Sequence, residues 1–274
     1  MKKILIKILI FLILLLTILV YSRFIGIKGL KTNEIMIKDN IPTSYNGLKI
    51  IHFADIHYKK IITEKDIKKL IKEININKPD LVIFTGDLLD KDYTLSGKDI
   101  NFLISWLKKI ETKYGVFATL GDQDTNEEIK NIYIQSNITL LDNKTTIIQN
   151  EHNEKISLSG LSSKNPKIKK VLKEIPNSIT YKIIAIHEPY YTDKILHYDN
   201  NISLILSSHS INGSINIPII KKLLLPRSAK KYYKPHYLIN NTNLYITNGI
   251  GVNKINFRLF NKPSINFYRL KIKE

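Results

Sequence analysis

Five apolar, strand-length runs in this chain stop on a side chain that can hold a metal ion. LKIIHFA (48–54) leads into Asp55 and His57, LVIF (81–84) into Asp87 and Asp90, and GVFATL (115–120) into Asp122; KIIAIH (182–187) ends on His187 and SLILSS (203–208) leads to His209. In sheets of mixed α/β proteins, ligands collect beyond the carboxyl ends of the strands. The first three runs are each followed by a capped helical pattern, opened by Thr63-Glu64-Lys65-Asp66, Ser96-Gly97-Lys98-Asp99 and Thr125-Asn126-Glu127-Glu128. Strand and helix alternating in this way imply α/β architecture with a largely parallel start. Short strands then follow at 138–141, 145–149 and 155–160, with further ones at 244–247 and 265–272. No internal repeat, low-complexity linker or domain boundary interrupts the chain after residue 24.

Asp55 and His57 are two positions apart, so an extended backbone would turn both to one face. Carboxylate oxygen mixed with imidazole nitrogen suits Mn, Fe or Zn better than Ca or Mg alone. Each piece has an ordinary explanation by itself: an Asp after a glycine is common turn chemistry, and a lone His-Glu-Pro carries little information. The order of the pieces, their repeated position at strand ends and the glycine before both Asp87 and Asp122 are specific. The remaining histidines read differently. His52 sits inside an apolar run as a core residue. His152, His197 and His236 stand in polar or Tyr-rich surroundings that mark the surface, with His236 kept as a secondary candidate for lining a site. The Lys167–Lys173 run reads as the solvated face of a short helix. Ser162-Ser163 and Ser207-Ser208 have no His–Asp partners in sequence, which sets serine-nucleophile chemistry aside.

Composition excludes more than it selects. The chain has no cysteine, so disulfides and thiolate metal sites are ruled out. Its formal net charge of +18 favours anionic partners such as phosphorylated substrates or lipid headgroups. That excess is nearly all lysine in a chain also rich in Ile and Asn, a bias AT-rich coding produces unaided, so nucleic acid is a weak third candidate. The N-terminus is more telling. Ile4 to Tyr21 is apolar but for Lys7 and Thr17, and as a helix it spans roughly 27 Å at 1.5 Å per residue, close to a bilayer core. No small-residue cleavage site follows, so residues 1–23 are expected to be an uncleaved single-pass transmembrane anchor in the cell membrane. Lys2, Lys3 and Lys7 argue for a cytoplasmic N-terminus, with residues 24–274 forming one domain on the extracytoplasmic side. Nothing in the sequence speaks to the oligomeric state.

Taken in order, Asp55-Ile56-His57, Gly86-Asp87-Leu88-Leu89-Asp90, Gly121-Asp122-Gln123-Asp124, His187 and Ser208-His209-Ser210-Ile211 resemble the DxH, GDxxD, GNH[DE], lone-His and GHxH motifs of the calcineurin-like metallophosphoesterases, in particular their membrane-anchored bacterial branch. The resemblance runs from about residue 33 to the end and takes in NGIG (248–251) and RLFNKPSINFYRL (258–270). It implies a two-sheet β-sandwich flanked by helices, an αββα fold, with a metal pair at the sheet edge. By this resemblance Asp87 bridges the ions; Asp55 and His57 join it on one, and Asp122, His187 and His209 on the other. A nucleophile held between the ions attacks a phosphate in line, and the histidine of GNH[DE] assists the leaving group.

The chain departs from that pattern where the chemistry is most sensitive. Gln123 takes the slot of the catalytic His and has no proton to give near neutral pH. Ile211 takes the slot of a ligating His, Asp122 that of a ligating Asn, and Ser208 that of a glycine. One pocket keeps its full set, Asp87, Asp122, His187 and His209; the other is left with Asp55, His57 and Asp87. One divalent ion is therefore favoured over two. Two functional classes follow: a membrane-anchored metal-dependent phosphoesterase acting on a phosphomonoester, phosphodiester or lipid-linked phosphate, or a catalytically impaired member of the family that binds one metal or none and acts by binding.

Overall fold

The computed structural model describes residues 1–90, 93–209, 230–252 and 256–273. Helix α1 (Lys2–Val20) is exposed along its whole length and continues into a π-helical turn, Tyr21–Ile25. The body then runs β1 (Lys31–Asp39), β2 (Lys49–Phe53), α2 (Glu64–Ile76), β3 (Leu81–Phe84), α3 (Gly97–Leu107), β4 (Val116–Ala118), α4 (Glu127–Gln135), β5 (Ile138–Leu140), β6 (Lys144–Gln149), β7 (Lys155–Leu161), α5 (Ile168–Lys173), β8 (Lys182–Ile186), α6 (Thr192–Tyr198), β9 (Leu204–Ser207), β10 (His236–Ile239), β11 (Thr242–Ile246) and β12 (Ser264–Ile272).

The strands form two mixed six-stranded sheets, ordered β1-β12-β2-β3-β4-β5 and β10-β11-β9-β8-β7-β6. Side-chain alternation explains the layers, since successive residues of a strand face opposite sides. Ile50, Leu81, Ile83 and Phe117 of the first sheet meet Leu158, Ile183, Ala185 and Leu206 of the second between the sheets. Their neighbours Ile51, Phe53, Val82 and Phe84 face outward, onto Ile67, Leu70, Leu103 and Ile129 of α2, α3 and α4. On the far side Ile184, Ile186 and Ile205 pack on Val171 of α5 and Ile195 of α6. Strands covered on both faces read as continuous apolar runs, which is why the central ones stand out in sequence.

The caps follow the same logic. Asp66 accepts the Thr63 backbone N–H (3.0 Å), and Ser96 and Asp99 bond each other's backbone N–H reciprocally (3.2 and 3.1 Å). The third cap is Asn126, one residue later than expected, because its Oδ1 reaches the Glu128 N–H at 3.0 Å. The Lys167–Lys173 run is a helix with two characters: its lysines are solvated, while Ile168, Val171 and Leu172 are buried.

Candidate metal centre

β2, β3 and β4 are parallel neighbours in one sheet, and β8 and β9 in the other. Their carboxyl ends therefore deliver Asp55, His57, Asp87, Asp122, His187 and His209 to a common place. His187 Nε2 lies 3.2 Å from Asp87 Oδ2, 3.3 Å from Asp122 Oδ1 and 3.8 Å from Asp55 Oδ1. His209 Nδ1 is 3.2 Å from Asp122 Oδ1, and His57 Nε2 is 3.7 Å from Asp87 Oδ2. Asp55, His57, Asp87 and His187 are buried, whereas the Asp122 side chain is 34% exposed and forms the lip. Ser210 and Ile211, the last part of the GHxH-like segment, lie outside the described residues.

Asp55 and His57 do not reach one face through an extended strand. Both sit in the left-handed backbone region, with φ of 52° and 46°, as do Asp87 (59°) and His209 (62°). Such backbone is uncommon outside glycine and concentrates at functional sites, where the surrounding structure enforces it. The chain turns sharply just past each strand and aims the side chain inward. The two glycines noted in sequence have a joint purpose: a Cβ on Gly86 would collide with the Gly121 backbone, and one on Gly121 with Asp87. The loops after β3 and β4 thus touch backbone to backbone, which brings Asp87 and Asp122 onto the same imidazole.

Asp124, to which the sequence assigned no role, holds that contact together. Its Oδ2 accepts the N–H groups of Asp87 (2.8 Å) and Gly121 (3.0 Å), and its Oδ1 that of Leu88 (3.0 Å). Burial and the nearby Asp87 push its carboxyl up to about 7. Asp124→Ala strands three buried donors, each costing about 1–3 kcal/mol when unsatisfied. The expected result is a drop in melting temperature of several degrees in chelator-treated protein; an unchanged melt would show that the two loops hold without the clamp.

His187 is also fixed from behind. Its Nδ1 lies 2.6 Å from the Thr85 carbonyl and 2.9 Å from Ser208 Oγ, which itself donates to the same carbonyl at 3.1 Å. In the neutral ring the carbonyl keeps the hydrogen on Nδ1 and leaves the Nε2 lone pair facing the carboxylates, the tautomer that metal-binding histidines need. Ser208, in the slot of a glycine, belongs to this support. His52 is a core residue as expected, bonded through Nε2 to Thr85 Oγ1 at 2.8 Å, and burial lowers it to about 3. His236 is exposed on the edge strand β10 and bonded to Asn243 (3.0 Å). Gln123 gives its backbone N–H to Asp87 Oδ1 (2.9 Å) and its side-chain amide to Asp122 Oδ2 (2.6 Å).

The cluster calls for a cation. Burial raises the Asp55 carboxyl. Burial works in the same direction on Asp122, but the close approach of His187 and His209 outweighs it and holds that group well below the usual carboxylate range. Burial works to lower His187, yet the charge of Asp87 and the contacts with Asp122 and Asp87 raise it well above its ordinary value. Positive charge is thus strongly favoured between these carboxylates, and a proton on His187 is a small substitute for a divalent ion. The buried atoms agree: Asp55 Oδ2, both His57 ring nitrogens, Asp87 Oδ2 and His187 Nε2 have no hydrogen-bond partner. Buried polar atoms are normally paired. Two triads of donors, Asp122-His187-His209 and Asp55-Asp87-His187, are each close enough to share one ion. The residues fit a divalent metal.

Residues 48–212 match the family model of the calcineurin-like phosphoesterases. The chain is 29% identical over 259 residues to the uncharacterized metallophosphoesterase YkuE of Bacillus subtilis, across 92% of this chain and 89% of the relative. It is 24% identical to the phosphodiesterase YaeI of Escherichia coli, across 81% of this chain and 82% of the relative. A transmembrane protein with metallophosphoesterase domain from Danio rerio is 22% identical across 85% of this chain and 55% of its own length.

Proposed function

The chain belongs to the calcineurin-like phosphoesterase family, and on that footing we propose that it is a membrane-anchored, metal-dependent hydrolase of phosphomono- or diesters, with lipid-linked phosphates among its substrates. The observation that carries this is the convergence of the orphaned donors of Asp55, His57, Asp87 and His187 on one buried spot beside Asp122 and His209. Asp122, His187 and His209, with Asp87, would hold the principal ion, of Mn, Fe or Zn type; Asp55 and His57, next to Asp87, would offer a weaker second position. A divalent ion bound there supplies Lewis-acid polarisation of a phosphate oxygen and eases the ionisation of water. The protein's own groups then orient the ester. The exposed lip at Asp122 is the entry side, and Lys60, paired with Asp90 at 2.9 Å, supplies positive charge beside His57, whose Nδ1 is 3.9 Å from Asp90.

A second reading, a catalytically impaired member of the family that binds one metal or none and acts by binding, is favoured by Gln123. Its amide is committed to Asp122 and has no proton to donate to a leaving group. Anchoring is supported by α1 with its following turn, a stretch of 24 residues long and apolar enough to cross a membrane, whose helix Lys2–Val20 buries no residue in the fold. We take residues 1–23 as a single-pass anchor and 24–274 as the phosphoesterase domain on the extracytoplasmic side.

Metal content of the full-length chain in detergent tests the ligand assignment. Elemental analysis should give nearer one transition metal per chain than two. His209→Ala should remove it, while Asp55→Ala should matter less. Equal loss from both variants, or two tightly held ions, overturns the single-site reading.

A further inference from the structure

Two exposed apolar side chains, Phe24 and Ile25, close the stretch able to cross a membrane, and a third, Phe260, is exposed on the body segment bonded to it, where its position in water is hard to account for. Exposure ends at Ser22, which is buried and whose carbonyl accepts the Arg258 N–H at 3.0 Å. Phe24 and Ile25 follow Ser22 by two and three positions, and each is 57% exposed; Phe260 follows Arg258 by two and is 73% exposed. Phe260 also holds a φ of +57°, a backbone region that a bulky aromatic rarely occupies without a reason. A strained backbone that presents a phenyl ring to water gains nothing there. The same ring placed at a membrane–water boundary leaves water for an apolar layer.

The occupant of this surface follows from continuity. The patch begins where a helix able to cross a bilayer meets the body, so the same bilayer's interfacial layer lies against it. The junction is also joined rigidly to the candidate metal centre. Arg258 is fully buried, and its guanidinium donates to the carbonyls of Asn248 (3.1 Å) and Gly249 (3.0 Å), and through Nε to Gly251 (3.1 Å). That loop in turn bonds the strand end beneath the site, Ile250 N–H to the Ala54 carbonyl (3.1 Å) and Gly251 N–H to that of Asp55 (2.6 Å). Hydrogen bonds therefore run without a break from Ser22 through Arg258 to Asp55.

We propose that Phe24, Ile25 and Phe260 form an apolar collar that seats the domain in the bilayer interface, so that the body is held against the membrane and does not swing on a tether. The proposal rests on the membrane-anchored reading above and deepens it: a site held at fixed height beside the lipid surface suits a phosphate carried on a lipid.

The absence of cysteine makes a direct test simple. Phe260→Cys and, as a control, Glu151→Cys, whose side chain is 77% exposed and pairs with Lys113, are made in the full-length chain and labelled with a polarity-sensitive fluorophore. Both are reconstituted in phosphatidylcholine–phosphatidylglycerol vesicles. Quenching is read with iodide in the water and with a nitroxide carried on the lipid chain. The label at 260 should be several-fold less sensitive to iodide and several-fold more sensitive to the lipid nitroxide than the label at 151. Equal behaviour at the two positions overturns the collar. Flotation of the same vesicles separates the two failures. A chain that does not float overturns the anchored reading, whereas a floating chain whose label at 260 lies in water overturns the collar alone. Phe260 is mostly exposed, so its replacement does not threaten the fold.

Discussion

Returning histidine to positions 123 and 211 together should raise hydrolysis of an aryl phosphodiester in the presence of Mn by about 10²–10⁴-fold, the usual range for a general acid working in a competent site. The scaffold around position 123 is intact. Its backbone N–H already holds Asp87 Oδ1, and Asp124 locks the loop, so an imidazole there would start from a fixed base beside the cluster. An imidazole titrates near neutral pH, which the Gln123 amide does not. Gln123→His also frees Asp122 Oδ2 from the short bond to the side-chain amide. Ile211→His returns the ligand whose slot the GHxH-like segment leaves apolar, and with it the second ion. The two changes serve one mechanism, so the double variant should exceed the product of the singles. Initial rates for the unaltered chain, both singles and the double decide the matter. If the unaltered chain is already as fast as the double, the two lost histidines do not limit the reaction, and the impaired-member reading falls with them.

The strands that matter most for the site were legible because burial on both faces leaves few polar positions in them: all four residues of LVIF in β3 and the last four of β2 are buried, His52 the one polar side chain among these eight. β1 was not legible. KTNEIMIKD buries only Ile37, and the strand is held by its parallel ladder to β12 from the opposite end of the chain. β10, four residues without a buried side chain, is likewise a product of its hairpin with β11. The site shows the same division. Its six titratable members could be named from strand-end position and motif order. Their supports could not, because each acts on backbone atoms remote in sequence: Asp124 on N–H groups up to 37 residues away, Ser208 on a carbonyl 123 residues away. The left-handed turns at Asp55 and His57 were hidden for a related reason. Nothing in the residue types Asp-Ile-His forbids an extended backbone, and the turn is imposed by hydrogen bonds such as Asp55 N–H to the Gly86 carbonyl at 3.0 Å.

Asp87→Asn should abolish metal binding while leaving the fold in place. Asp87 has one oxygen engaged by Gln123, and the other, Oδ2, is unpaired and aimed at His187 and His57 from 3.2 and 3.7 Å. Among the described residues no other carboxylate approaches both of these imidazoles so closely; Asp55 stands 4.0 and 3.8 Å from them. Outer-shell changes around metal ligands typically cost about 10–100-fold in affinity, and removing the central ligand charge should exceed that. Asparagine preserves the shape and can keep the acceptor for the Gln123 N–H, so the loop contact with Gly121 survives. The measurement is a thermal melt of the full-length chain in detergent, chelator-treated and then titrated with Mn. An ion present at a hundredfold its dissociation constant stabilises by about 2.7 kcal/mol. For a domain of this size that corresponds to a rise of roughly 5–10 °C. The unaltered chain and Gln123→Ala should both show the rise, because Gln123 contributes no ligand in the proposed set. Asp87→Asn should show none and should hydrolyse nothing above background. A rise that persists in Asp87→Asn would move the ion away from the shared oxygen, towards Asp122, His187 and His209 alone. No rise in the unaltered chain would mean that these carboxylates and imidazoles stand together without a divalent ion, and that the family's metal chemistry has been lost from this member.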